Sequence, residues 1–339
     1  MKFGIFDHVD DSGLPAAEHY ATRLRMVEAL DKLEFYSYHV AEHHGTPLGL
    51  APSPNVYLSA VAQRTRRLRF GPMVYVAALY HPLRLAEEIC MLDQMSGGRL
   101  QIGLGRGAVW IEHELYGMER AHVAQRYAEV RDVLLQALTS ELVNFSGEHF
   151  SFKNVQIVMR PFQKPHPPLW YGVANPDSTA WAAANDVNVV SLMPLEGAAR
   201  CLSRYREEWA KLGKSPSALP HLGLMRHIVV AETDSDAERI ARAAFKKWRA
   251  SFTDLWERSG VPFPLEHVLQ REWDGYVRNG LAVAGTASTV REFLASQTRA
   301  AGANLVLGQM IFGAMREDEA LHSLKLFSRD VIPALAPVP

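Results

Sequence analysis

Ala41-Glu42-His43-His44 holds the residues of this sequence best suited to moving protons. A carboxylate beside an imidazole can bring the ring's proton affinity near neutral pH, so His43 with Glu42 is a candidate acid–base pair. The same residues could instead be satisfied structural groups or bind a metal. Against metal, adjacent histidines on an extended backbone point to opposite faces, so His43 and His44 cannot both turn to one ion.

Two further stretches suit an anion. Gly103-Leu104-Gly105-Arg106-Gly107 sets a planar guanidinium among glycines, which allow a ligand close to the backbone. It lacks the G-x-G-x-x-G spacing of a dinucleotide fold, and a plain tight turn is the alternative. Gly172-Val173-Ala174-Asn175-Pro176-Asp177-Ser178 leads into a helix near Ser178, where exposed amides can hold an anion or the segment is simply a capped helix start.

The elements that must position these groups alternate. Short apolar runs at 2–7, 38–41, 68–74, 100–104, 169–172, 187–192, 222–230 and 304–307 read as strands. Segments of helical period separate them, at 15–33, 55–64, 81–95, 122–138, 178–184, 197–212, 234–249 and 288–300. Eight βα units predict an α/β fold, a (β/α)8 TIM barrel with insertions, in one domain over 1–339. Each candidate residue then stands at the C-terminal end of a strand, where barrels carry catalytic groups. Two stretches break the alternation: 145–157 reads as a hairpin, and 252–284 as an insertion that is either helical rim or a mobile lid. Phe6, His8, Tyr75, Trp110 and Met193 fall at or just past strand ends and are candidates for a substrate wall, with core packing as the alternative.

Composition narrows the partners. With 36 basic and 37 acidic residues no global field favours nucleic acid or an anionic membrane, so a small molecule is expected. Two cysteines without C-x-x-C spacing support neither a disulfide framework nor a thiolate metal site and suit a cytoplasmic protein. The apolar run at the N-terminus stops at Asp7, too short for a signal peptide or a membrane span.

Four motifs in register carry a resemblance. Ala-Glu-His-His at 41–44, His-Pro-Leu-Arg-Leu-Ala-Glu-Glu at 81–88, Leu-Asp-Gln-Met-Ser-Gly-Gly-Arg at 92–99 and Gly-Leu-Gly-Arg-Gly at 103–107 resemble the luciferase-like flavin-dependent monooxygenases, on the branch of bacterial luciferase (alkanal monooxygenase). The resemblance implies reduced FMN delivered by a separate flavin reductase, O2 as co-substrate, oxygenation of an aldehyde, ketone or related small organic through a C(4a)-peroxyflavin, and a homodimer. It implies His43 at the flavin's reactive edge supported by Glu42, and a non-prolyl cis peptide at Met73-Val74 against the ring, with Gly172 close by. Arg106, the Ala174 and Asn175 amides and the Ser178 hydroxyl would hold the phosphate, with Arg126 as a second phosphate arginine. Gly105 stands where luciferase has a reactive cysteine and Leu192-Met193-Pro194 replaces its tryptophan-rich segment, which argues against light emission. Rival readings are a deazaflavin-dependent hydride-transfer oxidoreductase on the same barrel, a non-catalytic flavin-binding protein, and a metal-dependent hydrolase built on His8, His43 and His44.

Overall fold

The computed structural model describes residues 1–336. In chain order its strands are β1 (Lys2–Asp7), β2 (Ser37–Val40), β3 (Arg69–Pro72), β4 (Tyr75–Val76), β5 (Ile102–Gly105), β6 (Leu142–Ser146), β7 (Ser151–Gln156), β8 (Leu169–Gly172), β9 (Asn188–Ser191), β10 (Leu222–Val230), β11 (Ala282–Gly285) and β12 (Leu305–Gln309). The helices used below are α1 (Ala16–Lys32), α2 (Pro54–Arg64), α3 (Pro82–Ser96), α4 (Trp110–Leu115), α5 (Val123–Thr139), α6 (Thr179–Ala184), α7 (Leu195–Lys211), α8 (Asp234–Arg258), α9 (Trp273–Arg278) and α10 (Ala287–Ala301).

Parallel pairing runs β3-β2-β1-β12-β10-β9-β8-β5, and a bridge between Phe70 and Leu100 brings β3 back beside β5. The eight strands expected from the sequence therefore form the wall of a TIM barrel. Closure depends on close backbone approach. A Cβ on Gly71 would sit 2.0 Å from the Gln101 carbonyl oxygen, and one on Gly103 would sit 2.3 Å from that of Pro72, so only glycine fits at either position. Phe6, Ala41, Met73, Trp170, Val190, Leu305 and Leu307 pack together as a core cluster drawn from strands around the wall. A larger apolar core packs the outer faces of the strands against the helices.

Two expectations change and one holds. The run 68–74 is not one strand: β3 stops at Pro72, the Met73–Val74 peptide bond is cis, as the resemblance implied, and β4 resumes beside β5. The segment 145–157 is indeed an antiparallel hairpin, β6–β7. The insertion does not begin at 252, because α8 continues unbroken to Arg258. Apolar residues at helical spacing (Phe245, Trp248, Phe252, Leu255, Trp256) keep one side of α8 in contact with the protein past Arg249. Near its expected end, β11 pairs with the C-terminal half of β10.

Candidate active site

The β1–α1 loop sets the first side chain. Asp7 accepts the Val9 amide at 2.7 Å, and Val9 takes a left-handed conformation at φ 52°, unusual for a β-branched residue and held here by this bond and by burial. Between them His8 is turned onto the His43 ring, with centroids 5.6 Å apart and planes at 26°. The Trp248 indole N–H, which can only donate, addresses His8 Nδ1 at 3.3 Å, and the Gln309 amide nitrogen addresses the same atom at 3.0 Å. Burial, then the charges of His43, His227 and Arg23, hold His8 well below the usual imidazole range. His8 is therefore a neutral ring with its proton on Nε2.

His43 has the opposite character. Its Nδ1 donates to Glu112 Oε1 at 2.9 Å, the side-chain hydrogen bond that the ring makes among the described residues. Burial pulls the ring's proton affinity down, but the charge and hydrogen bond of Glu112, with a smaller contribution from Glu42, outweigh it and raise the pKa. The linked stability is full below the unfolded imidazole value and is lost as pH rises through the higher folded one. In Glu112→Gln the carboxylate's charge is gone and burial remains. The His43 titration followed by NMR should fall from above 6.5 to below it, and a midpoint unmoved by the substitution would remove Glu112 from this role.

Glu42, paired with His43 in the sequence reading, does not touch it. Residues 42 and 44 share a face of the extended chain, so Glu42 Oε1 meets His44 Nε2 at 2.9 Å, while Oε2 accepts the Val76 amide and the Tyr80 hydroxyl, both at 3.0 Å. His44 Nδ1 in turn faces the Tyr116 hydroxyl at 2.9 Å. Glu42 and His44 are a buried brace, and Glu112 on α4 is the carboxylate that the sequence reading missed. No local pattern marks it.

The anion-suited groups lie at the same mouth. Arg106 is exposed, with no side-chain partner among the described residues. β5 and β8 are neighbouring parallel strands, so the Arg106 loop and the 172–178 loop leave the barrel side by side. The amides of Ala174 and Asn175 donate to no acceptor among the described residues, and a Cβ on Gly172 would meet nothing within 4 Å, so the loop faces open space. The Asn175 side chain accepts the Asp177 amide at 3.0 Å, and Ser178 Oγ donates to the Asn175 carbonyl at 2.7 Å. The Ser178 proton is thus spent within the turn. Arg126 is largely used elsewhere: its Nε donates to Ala78 O at 2.8 Å and its guanidinium lies 4.6 Å over the Phe150 ring. A Cβ on Gly105 would stand 2.4 Å from Val74 Cγ2, so the cis pair is packed against a strand end that admits no side chain.

The residues expected to form a substrate wall are placed differently from one another. Phe6 packs edge-on to His8 with centroids 4.7 Å apart, and Trp110 meets Trp256 at 6.2 Å beside α4. Met193 is half-buried past β9, against Gly197. Tyr75 is not part of any wall: it is fully buried in the outer core, its hydroxyl on Asn55 and its ring against Tyr80. Parity counted through 68–74 fails once the strand breaks at Pro72. Among the described residues no group of three or more His, Cys, Asp or Glu side chains is placed to hold a metal ion, and no helix is long and apolar enough to cross a membrane.

Comparison with known proteins decides the family. The family model described as luciferase-like monooxygenase matches residues 1–305. The chain belongs to the luciferase-like monooxygenases. It is 42% identical to the protein y4wF of Sinorhizobium fredii, over 95% of this chain and 94% of that one. It is 28% identical to the oxygenase component of the flavin-dependent trigonelline monooxygenase of Acinetobacter baylyi, over 70% and 67% of the two chains. The monooxygenase RslO1 of Streptomyces bottropensis superposes with a TM-score of 0.89 at 26% identity, over 99% of this chain and 100% of that one. The oxygenating constituent of 3,6-diketocamphane monooxygenase of Pseudomonas putida, in complex with FMN, gives 0.84 at 20%, over 100% and 99%. An F420-dependent secondary alcohol dehydrogenase gives 0.74 at 17%, over 99% of both chains. This luciferase-like chain thus shares its barrel with flavin- and F420-dependent oxidoreductases.

Proposed function

We propose that this luciferase-like protein is the oxygenase component of a two-component monooxygenase, using reduced FMN from a separate reductase and O2 to oxygenate a small aldehyde, ketone or related organic substrate. The observation that carries the reading is the double attachment of α4. Glu112 holds the His43 ring, while its neighbour in the chain fixes the loop beyond β5: His113 Nε2 bonds the Arg106 carbonyl at 2.7 Å, and α4 begins shortly after that loop. One short helix therefore ties a proton-handling imidazole to an unpartnered phosphate-suited arginine at a single barrel mouth. The naming of a relative as a flavin-dependent oxygenase component supports the division of labour.

Arg106 and the amides of Ala174 and Asn175 fit a phosphate, because all three are donors without acceptors among the described residues. Ser178 shapes that loop through its bond to Asn175, and Arg126 steadies the turn after β4 and the hairpin. Gly172, with nothing within 4 Å of its Cβ position, leaves open space at the end of β8 for a flat ring system. Reduced FMN, when bound, supplies the electrons that activate O2. The chain's own task is to position and to keep water out: Trp248 and Phe252 of α8, with Trp256 and Phe263, roof the His8 side of the mouth. His43, its proton held by Glu112, delivers or withdraws a proton at Nε2, and His8 Nε2–H offers a neutral hydrogen bond beside it.

Arg106→Ala should weaken FMN binding about 10- to 100-fold, the range for one hydrogen bond to a charged group, and leave riboflavin binding unchanged, as read by fluorescence titration. Equal losses for both would mean that Arg106 does not meet the phosphate. Oxygen uptake with reduced FMN and a panel of aldehydes and ketones, with product analysis, tests the function. Oxygenated product supports the proposal. Turnover only with reduced deazaflavin, or no organic product with either cofactor, overturns it.

A further inference from the structure

A cavity of about 780 Å³ opens between α8 and residues 261–273, sharing Trp256 and Phe263 with the roof of the barrel mouth but none of the groups assigned to the flavin. Its wall contains Arg249, a guanidinium only 7% exposed whose Nε and Nη1 have no hydrogen-bond partner among the described residues; Nη2 reaches the Leu269 carbonyl at 3.3 Å. The head lies over two aromatic rings, 5.7 Å from the Phe252 centroid and 5.0 Å from that of Phe263. A buried cation with two unsatisfied donors is costly, and aromatic faces compensate only part of that cost. An anion seated in the cavity would supply the missing acceptors.

We propose that this cavity is a binding site for a small aromatic monocarboxylate, its carboxylate on Arg249 and its ring among Phe245, Trp256, Phe263 and Trp273. The lining is aromatic on the inside and mixed in charge at the rim. Glu266 is neutralised by Arg271, whereas Lys246, Glu257 and Glu272 have no ion-pair partner among the described residues. One buried positive charge behind a rim with more free carboxylates than ammonium groups favours a single negative charge and disfavours phosphate esters. The aromatic lining rewards a flat apolar body over an aliphatic chain. The inference stands apart from the flavin reading, because none of the residues assigned to FMN lines this cavity. Phe252 stands between the two, its ring 6.3 Å from that of His8 and 5.7 Å from the Arg249 head.

Isothermal titration of the full chain with benzoate and with benzamide, its neutral isostere, tests this without any substitution. Saturable one-site binding of benzoate is expected, about 10- to 100-fold tighter than benzamide, since one charge-assisted contact to a buried guanidinium separates them. Saturating FMN should leave the benzoate affinity unchanged. Arg249→Gln should lose the preference for benzoate, with its melting curve showing whether the variant is folded. Equal affinity for the two probes, no saturable benzoate binding, displacement of benzoate by FMN, or an unchanged preference in a folded Arg249→Gln protein would each overturn the proposal.

Discussion

Replacing His43 with alanine should lower oxygenated product about 10²- to 10⁴-fold, the usual contribution of one positioned acid–base group, while FMN still binds and reductant is still consumed. The electrons then leave as hydrogen peroxide. The expectation follows from three features of the ring. Its Nδ1 is held by Glu112 at 2.9 Å, no bond among the described residues engages its Nε2, and its proton affinity is raised above that of a free imidazole. His43→Gln keeps a polar side chain without the titration and should be nearly as impaired. Parental product yield in either variant would show that the proton passes through another group, with neutral His8 the nearest one, its ring stacked on that of His43.

A second large effect is expected away from the reacting groups. Arg23 on α1 is buried between two carboxylates, 3.5 Å from Asp7 and 3.3 Å from Asp10. Asp7 also accepts the Tyr38 hydroxyl at 2.8 Å, and Asp10 accepts the Gly313 amide at 2.7 Å. These bonds pin both ends of the loop that aims His8. Arg23→Met removes the cation and leaves the carboxylates buried without it, which should cost about 3–5 kcal/mol in urea unfolding. Burial pushes the Asp10 carboxyl up to about 7, against the lowering effect of Arg23. A raised carboxyl contributes stability at low pH that is lost as pH rises through the folded value, so the deficit in Arg23→Met should grow as pH increases through and beyond 7. A loss under about 1 kcal/mol, or one independent of pH, would mean that the carboxylates do not depend on Arg23.

Much of this architecture could be read from the residues. Alternating apolar runs and helical periods locate all eight wall strands to within a few residues, because each strand buried on both faces leaves a compact apolar signature. The motifs place His43, Arg106 and the 172–178 loop at one mouth, since in a parallel barrel every strand end falls on the same side. What escaped the reading depends on contacts between distant segments. Glu112 lies 69 residues from the histidine it holds, on a six-residue helix with no strong period. The misassigned partner, Glu42, follows from adjacency in sequence, although strand alternation turns it toward His44. Tyr75 points outward because of a break at Pro72 that hydropathy does not reveal, and α8 runs nine residues past its expected end because its apolar spacing continues beyond Arg249.

The central claim is that a flavin's phosphate and reactive edge are seated together at this mouth, and a crystal structure of the chain with FMN tests it most directly. The expected result is a phosphate within hydrogen-bond distance of Arg106 and of the Ala174 and Asn175 amides, with the ring system on Met73–Val74 and its edge toward His43 Nε2. FMN bound elsewhere, or bound here with its phosphate away from Arg106 and its ring out of reach of His43, would contradict it.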